Sequence, residues 1–148
     1  MISISFKMTP EAFAVIESVG RTRRQFEARV DRALERIATT GAERVKGIIE
    51  QQKFAPLQIS LAWAARKRKE GLDPRTLVAT KKYLDSILPK RIGKNSWGIT
   101  ADMLKAILSE YGWRRIKGRP HWGPALRELS KEAGDIFAEE VLRDLPLD

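Results

Sequence analysis

The chain has 148 residues and a formal net charge of +9, from 28 lysines and arginines and 19 acidic residues. That length is typical of one domain, and a hydrophobic fraction of 43% is too high for a disordered chain. Cysteine is absent and His121 is the only histidine, which excludes disulfides, thiolate chemistry and a histidine-rich metal site. We expect no cofactor.

The sequence contains no targeting signal that we can identify. No segment reaches the ~20 consecutive apolar residues of a membrane span, and the first residues lack the basic start and apolar run of a signal peptide. We therefore expect synthesis in a cytoplasm and no membrane contact. The positive charge suits contact with nucleic acid or with an acidic protein.

The first twenty residues predict a strand followed by a short helix. Apolar and polar residues alternate over residues 2–8, with the period of two that is typical of a half-buried strand. Thr9 and Pro10 then resemble an N-cap and a first-turn proline, and Gly20 suits a C-cap. A helix is therefore predicted over residues 10–19.

Residues 21–53 predict one long amphipathic helix. Apolar side chains recur at helical spacing, at Phe26, Val30, Leu34, Ile37, Val45, Ile48 and Ile49. The other faces carry acidic and basic residues within reach of one another. This stripe packs either on a sheet of the same chain, which is the simpler interpretation, or on a coiled-coil partner.

Shorter elements follow over residues 57–148. The pattern predicts a helix over residues 57–69, a helical turn that opens at Asp73-Pro74, and a hairpin from Ile87 to Ile99 with its turn at residues 93–95. It then predicts a helix over residues 101–110 that ends at Gly112, a short strand over residues 113–117, and a closing helix with Pro124 in its first turn. The predicted fold is α+β, a single domain in which the long helix and the C-terminal helix pack on a small, mainly antiparallel sheet.

The sequence gives catalysis little support. It contains no phosphate-binding glycine loop, no Gly-x-Ser-x-Gly elbow and no His-Glu-x-x-His helix. His121 stands between Pro120 and Trp122, and Pro124 follows, which is typical of a rigid turn rather than of a general base. Four separate tryptophans can be base-stacking platforms or core and interface anchors, and the second is the simpler interpretation.

From Leu57 to about Leu129, the order of several short motifs resembles the tail-completion and virion-morphogenesis proteins of tailed bacteriophages. Those proteins have a basic stretch that ends a helix, a spaced Pro-Leu-Thr-Leu-Ser-Ile pattern, a glycine-bearing hairpin, a Tyr-Gly pair and an Arg-Pro turn before the last helix. The matching residues here are Ala65-Arg66-Lys67, Pro74, Leu77, Thr80, Leu84, Ser86-Ile87, Trp97-Gly98, Tyr111-Gly112 and Arg119-Pro120-His121-Trp122. The chain departs from the family at Lys81, where glycine is common.

The resemblance implies a non-enzymatic structural subunit of the neck or tail end of a virion. Its copies would form a ring around the DNA channel and contact neighbouring neck, connector or tail proteins. The candidate interface residues are Arg119, Pro120, His121, Trp122, Trp97 and Tyr111, although packing of the 119–124 turn within its own chain is equally natural. The candidate basic residues facing DNA or a partner are Arg66, Lys67, Arg68, Lys69, Arg114 and Arg115.

Two alternatives remain open. The charge and the scattered tryptophans also fit a sequence-nonspecific nucleic-acid-binding protein. A small regulatory or toxin-type enzyme is the third hypothesis, and it has the least support because no acid, base or nucleophile clusters in the sequence.

Overall fold

The computed structural model describes residues 9–10, 23–54, 59–78 and 80–143. The strand predicted over residues 2–8 and nearly all of the helix predicted over residues 10–19 lie outside these ranges. The elements in chain order are α1 (Arg23–Glu50), α2 (Leu61–Lys69), α3 (Lys82–Ser86), β1 (Leu88–Gly93), β2 (Ser96–Thr100), α4 (Met103–Tyr111), β3 (Gly112–Trp113), β4 (Ile116–Lys117) and α5 (Trp122–Leu142). They confirm the predicted α+β class.

The long helix α1 forms one wall of the core. Its buried residues follow the predicted stripe, at Val30, Ala33, Leu34, Ile37, Ala38, Gly41, Ala42, Val45 and Ile49. The helix packs mainly on α5 and on the β1–β2 hairpin, so its apolar face is covered by the chain itself. The interpretation of packing within the chain is confirmed.

Ion pairs connect the polar flanks of α1 and α5. Arg36 lies 3.0 Å from Glu139 and 2.8 Å from Glu140, and Arg44 pairs with Glu128 at 2.9 Å and with Glu132. Most of these side chains remain partly exposed, so each pair adds little stability. They do neutralise many of the acidic groups on the two longest helices.

The β1–β2 hairpin is also confirmed. Its strands pair antiparallel from Leu88 opposite Thr100 to Gly93 opposite Ser96, with an irregular register between Arg91 and Gly93. The β2 strand is mostly buried against α1, whereas β1 is mostly exposed. Pro89 therefore lies on an edge strand, where its missing N–H costs no ladder hydrogen bond.

Two predictions in the middle of the chain are wrong. The helical turn predicted to open at Asp73-Pro74 starts too early: the chain first forms turns, because Asp73 accepts a hydrogen bond from the N–H of Arg75 at 2.8 Å and Leu77 adopts a left-handed φ of 63°. A helix forms only at α3, and Leu84 and Ile87, predicted on the buried side, are buried. The predicted single strand over residues 113–117 is a small hairpin, in which Gly112 and Trp113 pair with Lys117 and Ile116.

The predicted helix over residues 57–69 is shorter than expected. It begins at Leu61, where the Ser60 hydroxyl caps it by accepting a hydrogen bond from the N–H of Trp63 at 3.3 Å. Residues 57 and 58 lie outside the described part of the chain.

Gly41 lets three elements approach one another closely. A Cβ at this position would lie 2.6 Å from Ile99 Cδ1 of β2 and 2.8 Å from Leu129 Cδ2 of α5. We predict that Gly41→Ala lowers the free energy of unfolding by up to about 2 kcal/mol, because overpacking costs about 1–3 kcal/mol and the helix propensity of alanine offsets up to about 1 kcal/mol of it. The measurement is urea denaturation followed by circular dichroism.

Gly47→Ala is the matched control in the same helix. A Cβ there would contact only Gln51 Nε2 at 3.8 Å, so helix propensity should raise stability by up to about 1 kcal/mol. Equal effects of the two substitutions would contradict the packing described here.

Candidate interaction surface

The carboxylate of Glu110, at the end of α4, holds the start of α5. Its Oε2 accepts hydrogen bonds from the N–H groups of His121 at 2.8 Å and Trp122 at 3.0 Å, and its Oε1 accepts one from Gly123 at 2.9 Å. These N–H groups lack partners within α5, and a negative charge is favourable at a helix N-terminus. The N-cap His121 gives no side-chain cap, so a different helix supplies it.

Behind this cap lies a buried chain of polar side chains. Nδ1 of His121 lies 2.7 Å from the carbonyl oxygen of Arg119, which can only accept, so Nδ1 carries the proton. Nε2 of His121 then accepts from the Tyr83 hydroxyl at 2.7 Å, and that hydroxyl accepts from the indole N–H of Trp122 at 3.0 Å. Each polar group of this chain has a partner, which fixes α3 against the start of α5.

Two glycines let the backbone fold back on the end of α4. Gly112 ends α4 with a φ of 80°, and a Cβ there would lie 2.4 Å from the carbonyl oxygen of Ile116. A Cβ at Gly118 would lie 2.5 Å from the carbonyl oxygen of Glu110. The predicted stop of α4 at Gly112 is confirmed, and the β3–β4 hairpin is held tightly against the end of the helix.

As a result, α4 turns most of its apolar side chains outward. Only Ala106 of this helix is fully buried, whereas Leu104 is 67% exposed and Tyr111 is 81% exposed. Met103, Leu104, Ile107 and Tyr111 fall within a stripe of about 100° around the helix axis, and all four are exposed. A helix stripe of this kind normally packs on something.

The β3–β4 hairpin extends this surface. Trp113 and Ile116 are cross-strand partners, so they lie on the same face of the hairpin, and they are 53% and 60% exposed. Six of the eleven large apolar side chains that are exposed in the described part of the chain therefore lie between residues 103 and 116. We call this surface the α4–hairpin face: Met103, Leu104, Ile107, Tyr111, Trp113 and Ile116.

Basic side chains border the α4–hairpin face. Arg114, in the hairpin turn, places its guanidinium 4.3 Å from the centre of the Trp113 ring, and Arg115 beside it is exposed. Lys105 and Lys117 are exposed as well. An apolar centre with a charged border is typical of protein interfaces.

The structure separates the sequence-predicted interface residues. Tyr111 belongs to the α4–hairpin face and Pro120 is exposed. His121 and Trp122 are buried, because Tyr83 and Glu110 satisfy their polar groups inside the chain. The prediction that these two residues face a partner is therefore wrong for the folded chain, and packing within the chain is the correct alternative.

The remaining predicted residues occupy two other places. Trp97 is half-buried and donates from its indole N–H to Asp31 at 3.1 Å, an acceptor that it shares with Arg91. Arg119 is partly buried, and burial lowers its pKa. Its guanidinium donates to the carbonyl oxygen of Lys117 at 3.3 Å. Both residues make contacts within the chain, and their place in an interface stays a prediction.

The predicted basic stretch, residues 66–69, belongs to α2 and not to the elements of the α4–hairpin face. Arg66, Arg68 and Lys69 are exposed, whereas Lys67 is buried and donates from Nζ to the carbonyl oxygen of Arg75 at 2.8 Å. Arg66 covers the ring of Trp63 at 5.1 Å. Arg66 also pairs with Glu70 at 2.9 Å, whereas Arg68 and Lys69 are exposed with no ion pair to any residue that the structure describes.

Sequence reasoning missed Glu110, Tyr83 and the outward direction of the α4 stripe. One signal was present: the residue before α5 is a histidine, and a helix that starts without Ser, Thr, Asp or Asn needs an acceptor from elsewhere. The periodicity of α4 specified an apolar stripe but not which side of the molecule it would face.

Within the described ranges, no three His, Asp or Glu side chains group so that they could hold a metal ion. Among those same residues, no helix has the length and hydropathy to cross a membrane. No family model, curated protein or solved structure matches the chain.

The buried His121 should make stability depend on pH. Burial lowers the pKa of His121, and its contacts with the Arg119 carbonyl and Glu110 oppose this effect. Because the unfolded value is about 6.5, the unfolded chain takes up the proton first, and we predict that stability falls as the pH drops from about 6.5 to 5.5. Urea denaturation across this range measures the loss, which is at most about 1.4 kcal/mol per pH unit for one group.

His121→Asn removes the titration and serves as the comparison. Asp73 does not interfere in this range, because hydrogen bonds from Arg75 lower its pKa to about 2. A wild-type stability that stays flat down to about pH 5.5, or a slope that persists in the His121→Asn variant, would contradict the assignment of the slope to His121.

Proposed function

We propose that this chain is a structural subunit of the neck or tail end of a tailed-bacteriophage particle, where its copies assemble into a ring around the DNA channel. It would be made in the host cytoplasm and incorporated into the virion. The proposal combines the order of motifs between Leu57 and Leu129 with the α4–hairpin face, and the face is the observation that carries it.

The α4–hairpin face exposes six large apolar side chains, and a patch of this kind is expected to be covered by a partner. Single exposed apolar residues are ordinary on protein surfaces, but a contiguous stripe with an aromatic anchor is typical of a contact surface. Tyr111 and Trp113 are residue types that carry much of the binding energy at interfaces. Such a face is what a protein that works by assembly needs.

A ring requires two different surfaces on each subunit, because the contact runs head to tail. The α4–hairpin face supplies the first. The exposed strand β1 carries Leu88 and Ile92, each about half exposed, and offers a second, smaller apolar surface on a different element. The ion-paired flanks of α1 and α5 are less suited, since many of their charges are already neutralised within the chain.

We predict that Leu104→Glu combined with Ile107→Glu prevents ring formation. Glu is a good helix former, so α4 should persist, while the two charges oppose burial of the face. Losing two side chains worth ~1.5–3 kcal/mol each weakens association at least about a hundredfold. Light scattering after gel filtration measures the assembly of the purified protein, and electron microscopy of particles measures head-to-tail joining.

Leu142→Glu is the matched control, since Leu142 is also half exposed but lies at the end of α5. The control should assemble and join heads to tails as the wild type does. Particles that lack the protein and still join heads to tails with full infectivity would contradict the proposed function. Equal assembly of the double variant and the wild type would exclude the α4–hairpin face as the contact.

A further inference from the structure

The helix α2 has almost no packing of its own. It has nine residues, and only Lys67 among them is buried. Isolated helices below ~12–15 residues are marginal in water. Within the described structure, α2 is held by the Ser60 cap and by the Lys67 contact to the Arg75 carbonyl. Most of its surface is therefore open to a partner.

The positive charge of the protein is concentrated in the middle of the sequence, in the segment that contains this helix. Residues 59–120 contain fifteen Lys and Arg but only five Asp and Glu, whereas α1 and α5 together contain nine basic and ten acidic residues. Four of the fifteen lie in the last turn of α2, which has no acidic residue. Burial lowers the pKa of Lys67, the negative charge of Asp73 raises it, and the positive charge of Arg119 lowers it.

The tryptophans argue against base stacking as the mode of contact. The indole N–H groups of Trp97 and Trp122 are bound inside the chain, to Asp31 and Tyr83. Trp63 and Trp113 are exposed, but arginine guanidinium groups lie over their rings. These stacked arginines are positioned to present positive charge, which suits phosphate groups rather than bases.

We propose that α2 binds the phosphate backbone of duplex DNA, without sequence selectivity, through the exposed side chains of Arg66, Arg68 and Lys69. Charge complementarity selects this partner, because Arg66, Arg68 and Lys69 are exposed together in the last turn of one short helix. Each neutralised phosphate releases condensed counterions, which drives binding at low salt. The placement of α2 towards a DNA channel rests on the proposed ring, whereas the binding itself does not.

The test is fluorescence anisotropy with a labelled duplex of about 30 base pairs of arbitrary sequence, between about 50 and 200 mM salt. The triple variant Arg66→Gln, Arg68→Gln, Lys69→Gln should bind at least about tenfold more weakly at the lower salt. Its slope of log affinity against log salt should be smaller by about 2.7, the value for three phosphate contacts.

The matched control removes the same charge elsewhere, with Lys90→Gln, Arg91→Gln and Lys94→Gln on the exposed β1–β2 hairpin. Arg91 pairs with Asp31 and Lys94 with Glu27, much as Arg66 pairs with Glu70, so the two triple variants remove the same formal charge and differ in position. If α2 is the contact, the control should bind nearly as the wild type. A charge-preserving variant, Arg66→Lys with Arg68→Lys, should also retain binding. Circular dichroism confirms that each variant is folded.

Three results would overturn the proposal: no binding by the wild type at the lower salt, equal losses in the two triple variants, or α2-dependent binding of poly-glutamate with no binding of the duplex. The last result would identify an acidic protein as the partner.

Assembly is measured separately in the same samples. If the protein binds the duplex but does not assemble, the role of α2 is supported and the proposed ring is contradicted. If it assembles but does not bind the duplex, the ring is supported and the role of α2 is contradicted.

Discussion

The carboxylate of Glu110 is the constraint from which the candidate surface follows. It accepts hydrogen bonds from three backbone N–H groups at the start of α5, and these bonds fix which side of α4 faces the body of the protein. Glu110 and the small, buried Ala106 lie on that inward side, about 40° apart around the helix. The apolar stripe of Met103, Leu104, Ile107 and Tyr111 is centred about 90° around the helix from that side, so these side chains remain exposed.

The surroundings of Glu110 make this arrangement rigid. The hydrogen-bonded chain of Trp122, Tyr83 and His121 leaves no buried polar group among them without a partner, and burial raises the pKa of Tyr83 to about 12. The close backbone contacts at Gly112 and Gly118 hold the hairpin beside the helix end. A face presented by fixed elements loses little conformational entropy on binding.

Much of the fold could be predicted from the sequence, wherever the residue pattern is compatible with only one type of secondary structure. The stripe of α1, the β1–β2 hairpin and the stop of α4 at Gly112 are of this kind. The turns after Asp73 could not, because a local side-chain hydrogen bond to the backbone competes with helix formation there. The orientation of α4 depends on a contact between Glu110 and a helix that begins twelve residues later, which periodicity does not encode.

Positive charge and apolar exposure are spread unevenly over the molecule. The paired helices α1 and α5 are nearly neutral and form the support. The α4–hairpin face is apolar with a basic border, and α2 presents cations beside the exposed Leu61 and Trp63. A subunit that contacts its own copies on one side and a polyanion on another would be organised in this way. We propose self-assembly for the α4–hairpin face and DNA binding for α2, because these surfaces lie on different elements.

We infer that a second copy of the chain covers the α4–hairpin face. Replacing Tyr111 with a photo-reactive phenylalanine analogue, and irradiating assembled particles or concentrated protein, tests this directly. Tyr111 is 81% exposed in the single chain, so the analogue should not disturb the fold. We expect a ladder of covalent homo-oligomers on a denaturing gel, in which each cross-link joins residue 111 of one copy to a second copy of the chain. Cross-linking only to other proteins, or none at all in assembled particles, would contradict it.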